Sequence, residues 1–203
     1  MSQRAQVALA ALKDPTQQLT LDERGHFIPT TRKPGFFGKP GSIEEAGRAI
    51  SGLLTDLKST SPEVRIVALQ TMENSAWCKA TFAKNSTLQD QFAQIKAETQ
   101  LEIEKAHIDK REGKGWAQRF AVWNGLNEMN KNPKACTPEA LDRVSTNFQW
   151  LAQNSETPED YQALTTLYGA FQDIASRLDP ALPRLQKHRE TIEQAVLHMH
   201  VKP

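Results

Sequence analysis

The chain has 203 residues, 24% of them charged, and a formal net charge of +1. That length makes one domain, or one domain with an extension, and folding hides roughly 70% of the surface the unfolded chain exposes. Near-zero net charge argues against a surface built wholly for nucleic acid or anionic membrane, though a local basic patch stays possible. Two cysteines, Cys78 and Cys136, are too few for a disulfide framework or a zinc site, so two reduced thiols in or near the core are expected. No apolar run reaches the roughly 18 residues of a membrane span. The apolar "VALAAL" run after Arg4 is followed at once by Lys13 and Asp14. It is shorter than a signal-peptide core and reads as a short helix. A soluble, cytoplasmic protein is the expectation, with export without a cleaved signal as the alternative.

In chain order, a short weak helix covers 2–13. Next comes "HFIPTTRKPGFFGKPGS", His26 to Ser42, too dense in proline and glycine for a helix interior. Helix two is expected over 43–58. Gly47 and Gly52 inside it cost about 1 kcal/mol each relative to alanine, which a helix tolerates when it packs closely on a neighbour or is weak. Helix three, 62–84, carries Val64, Ile66, Val67, Leu69 and Met72 nearly all round and should be the most buried. Helix four, 87–112, ends in a densely charged half that reads as a solvated face. "GKG" at Gly113–Gly115 stops it. Helix five, from Trp116, ends before Pro133. Helices six (138–153) and seven (158–178) follow, and a last helix runs to about 198.

The starts are marked chemically. "SPEV" at Ser61, "TPEA" at Thr137 and "TPED" at Thr157 each place a hydroxyl at the N-cap, proline at the first helical position and an acid in the first turn. Ser42 with Glu45 and Ser86 with Gln89 read as capping boxes. No strand competes, since period-two alternation and an Asn-Gly hairpin signal are both missing. The expected fold is all-α: a single helical-bundle-like domain of about six to seven helices. Residues 1–41 form an irregular N-terminal extension and 42–203 the helical domain.

Motifs for phosphate loops, dinucleotides, zinc proteases, serine hydrolases and kinases are absent. Cys78 with His107 is a conceivable nucleophile pair, but an apolar helix would quiet the thiol. His198 and His200 sit two apart and do not share a helix face with one another, so capping or solvation suits them, and His188, better than a metal. Paired acids such as Glu102 with Glu104 read as solvated. Trp116, Phe120 and Trp123 make either a core stripe or an exposed anchor, with Arg119 beside them. Phe36 and Phe37, flanked by Arg32, Lys33 and Lys39, either plug the core or form a basic-aromatic recognition element.

The expected function is non-enzymatic: a helical protein acting through protein–protein interaction. Arg32, Lys33, Phe36, Phe37, Lys39, Trp116, Arg119 and Trp123 are the candidate contact residues. No catalytic residue, metal or cofactor is expected, nor a nucleic-acid partner, and the oligomeric state is open. One alternative is an enzyme or enzyme inhibitor with a site assembled across helices; the other is a bacterial effector acting on a host protein.

Overall fold

The computed structural model describes residues 1–31, 40–110, 115–182 and 184–199. Among them are nine α-helices, one short 3-10 turn and one two-stranded sheet. The protein is all-α with a small hairpin near its start. Its contacts gather into two compact units, Met1–Phe92 and Ala93–Pro203.

In the first unit, α1 (Gln3–Ala11) is capped by Ser2, whose side chain accepts from the Ala5 amide. Strands β1 (Gln17–Leu21) and β2 (Phe27–Thr31) pair antiparallel with Leu19 opposite Pro29. The expectation of no strand fails here, for a physical reason. Only Leu19 is buried in β1 and only Phe27 in β2, so neither strand writes an alternation. The turn is held instead by Asp22, whose Oδ1 accepts from the amides of Arg24 at 2.9 Å and His26 at 2.8 Å. Gly25 supplies the left-handed φ of 76°. Pro29 fits because both strands of a two-stranded sheet are edges.

Helix α2 (Pro40–Leu57) begins before Ser42, so Ser42 is not its cap. Glu45 reaches the hairpin instead, accepting from the Thr20 hydroxyl and from the Leu21 amide. Gly52 explains its own presence: a Cβ there would come within 3.2 Å of the Phe27 ring. The predicted third helix is two, α3 (Pro62–Asn74) and α4 (Ala76–Phe82), broken at an extended Ser75 whose side chain accepts from the Cys78 amide. Ser61 makes no side-chain cap bond to α3. At the α2–α3 corner, buried Arg65 donates to the carbonyls of Leu57, Lys58 and Thr60. It meets both the charge and the open acceptors of a helix end.

The burial of α3 also departs from expectation. Its interior stripe is Arg65, Ala68, Leu69 and Met72. Val64 and Val67 are 44% and 61% exposed.

Helix α5 (Ser86–Ile108) opens on Asn85, which accepts from the Leu88 amide at 3.0 Å, rather than on a Ser86–Gln89 box. Its first turns close the first unit, where Phe82 and Phe92 rings lie 4.8 Å apart. Its later turns belong to the second unit, with α6 (Trp116–Lys131), the 3-10 turn (Pro133–Ala135), α7 (Pro138–Asn154), α8 (Pro158–Ser176) and α9 (Leu185–Met199). Thr137 caps α7, and Thr157 with Asp160 forms a full capping box on α8. The core joins Leu126, Val144, Phe148, Leu167, Phe171 and Ile192.

Substitution at two sites of α3, two residues apart, checks this burial. Leu69→Asp places an uncompensated carboxylate in the core at a cost of several kcal/mol, against a total stability of about 5–15, and should leave the chain unfolded or insoluble. Val67→Asp should keep a native far-UV circular dichroism spectrum. Equal behaviour of the two variants would overturn the assignment.

Candidate functional site

The second unit holds the groups that the sequence singled out on α6. That helix turns Val122, Leu126 and Met129 into the core. Its aromatic row lies on another flank. Trp116 and Trp123 are half-buried and Phe120 is 43% exposed. Trp116 and Phe120 centroids are 5.8 Å apart, Phe120 and Trp123 6.0 Å, both stacked. The row is fixed from beneath. The Trp116 indole N–H donates to the Ile108 carbonyl at 2.8 Å, and that of Trp123 to the Leu101 carbonyl at 2.9 Å. The Lys105 ammonium lies 5.8 Å from the Trp123 ring centroid and 2.9 Å from Asp109 Oδ2.

Arg119 is committed inward. Its Nε and Nη2 donate to Glu104 Oε1 at 2.8 and 2.7 Å. Glu104 is only 1% exposed, which corrects its reading as solvated. Burial raises its pKa above the ordinary glutamate value; the Arg119 charge and bonds, then His107, pull against that rise. The charged sequence around Glu104 hid this, but a signal was present. Ala97, Leu101, Glu104 and Ile108 follow one another at helical spacing, and all four are buried.

Glu104 and Arg119 line a cleft of about 340 Å³ with His107 from α5, Asn154 at the end of α7, and Glu156, Glu159 and Asp160 at the start of α8. Its described charges are four acids against one arginine. Burial works against the Asp160 carboxylate, but amide bonds from Glu156 and Thr157 and the nearby Arg119 hold its pKa below the usual range. Much of the acidity therefore serves the α8 start.

Of the other candidates, Cys78 is buried and its thiol is pushed up to about 12 by desolvation, against a weaker opposing bond with Ser75. That thiol is quiet at neutral pH. His198 Nδ1 lies 2.7 Å from the Gln194 carbonyl oxygen, and His188 Nε2 lies 3.1 Å from Asp142 Oδ1. Among the described residues no group of three histidine, cysteine or acidic side chains could hold a metal ion. Arg32, Lys33, Phe36, Phe37, Lys39, Lys114 and His200 lie outside the described residues.

Comparison with family models, with curated proteins and with solved structures finds no match to this chain.

Arg119→Ala tests the ion pair. It strands a buried carboxylate, so stability at neutral pH should fall by about 3–5 kcal/mol. It should also lift the Glu104 pKa further. A carboxyl with a raised folded-state pKa takes its proton more readily when folded, so the loss should be small below the ordinary glutamate value. The loss should then grow as pH rises from the wild-type Glu104 pKa, itself raised, to the variant's higher one. A chemical-denaturation series across pH checks this; a pH-independent loss would show that the arginine acts through packing alone.

Proposed function

We propose that the protein works by binding another protein through the aromatic face of α6, and that it acts by recognition rather than catalysis. One observation carries this reading: the half-exposed row Trp116–Phe120–Trp123, stacked and pinned by indole bonds to α5. Tryptophan dominates binding hot spots, and a row already held in place loses little freedom on binding. The charges beside it are mixed, Lys105 next to Asp109, which suits a protein surface better than a phosphate backbone. Arg119 contributes as the support of the row, since its Nε and Nη2 donate to Glu104. Arg32, Lys33, Phe36, Phe37 and Lys39 stay part of the proposal on composition alone. No helix among the described residues is long and apolar enough to cross a membrane. A cytoplasmic setting agrees with Cys78 and Cys136 both being free, buried thiols.

A second reading, an enzyme or inhibitor with a site assembled across helices, is favoured by the cleft. Glu104 has a raised pKa and lines a cavity with His107, as an acid–base group would. Against it, both Arg119 bonds tie Glu104 to a structural role.

Photo-crosslinking in the native cell separates the two. A crosslinker at exposed Ala117, beside the row, should trap a discrete protein adduct. One at exposed Arg143 on α7 should not. Phe120→Ser should abolish the adduct while shifting the melting temperature by only a degree or two, because surface changes stay within about 0.5 kcal/mol. The same adducts from both positions, or an adduct indifferent to Phe120→Ser, would defeat the proposal.

A further inference from the structure

We draw no further inference here: the strongest candidate, the acidic cleft walled by α5, α6 and the start of α8, is a cluster of carboxylates in which Arg119 already answers Glu104 and the amides of Glu156 and Thr157 answer Asp160, and no second feature among the described residues points to a ligand in it.

Discussion

A carboxylate taken out of water has to be met by a cation, and Glu104 imposes that demand on the second unit. Leaving it unpaired would cost several kcal/mol, a large share of any domain's stability. Arg119 answers with two bonds to one oxygen, and the answer fixes α6 along α5. Four residues after Glu104, the Ile108 carbonyl meets Trp116, three residues before Arg119. Three residues before Glu104, the Leu101 carbonyl meets Trp123, four residues after Arg119. The three contacts step along an antiparallel seam at one helical turn each. The stacked row is a consequence of this register, since Phe120 lies between two indoles that α5 has already placed.

The same pairing explains why α6 presents aromatics outward without losing its core. A helix has room for one stripe inward and one along a neighbour. Val122, Leu126 and Met129 take the first, and Trp116, Arg119 and Trp123 take the second. Phe120 is left at the rim. A ring there gains little for folding, and its packing partners are the two flanking rings. The row is stiff, half-wet and apolar, as a recognition surface requires.

Much of the fold was legible from helix-start chemistry. Thr137 and Thr157 cap the helices their Thr-Pro-acid signals announce, because a hydroxyl, a proline and an acid each solve a local problem of orphan amides. Ser61 shows the limit: the same hydroxyl-proline-acid pattern starts α3 without a side-chain cap bond. What was not legible depended on partners distant in sequence. The hairpin rests on Asp22, Gly25 and a bond to Glu45 on another helix, none of which a two-residue period reveals. Val67 and Leu69 are both apolar and two apart. Only the packing of α3 against its neighbours, α1 and α4 among them, decides that Leu69 is interior and Val67 is not. Glu104 looked solvated because its neighbours in sequence are charged, although its neighbours at helical spacing are Ala97, Leu101 and Ile108.

Average charge hid as much as it showed. A net charge of +1 argues against a uniformly basic surface, yet the cleft beside α8 sets four acids against one arginine. Part of that imbalance is structural, because Asp160 turns its carboxylate back onto amides at the start of its own helix. Glu104 is different in kind. Among the described residues it accepts no amide bond; its contribution is positional, and it carries a desolvation penalty that an apolar pair would avoid. That penalty sits at the one seam that holds the aromatic row in register. An apolar pair at positions 104 and 119 could pack as tightly, but it would leave only the two indole bonds to select one register over a slide of a helical turn. A slide would break the indole bonds to Ile108 and Leu101 that pin the rings. Compared with an apolar pair, the ion pair adds little to overall stability and more to where the rings stand.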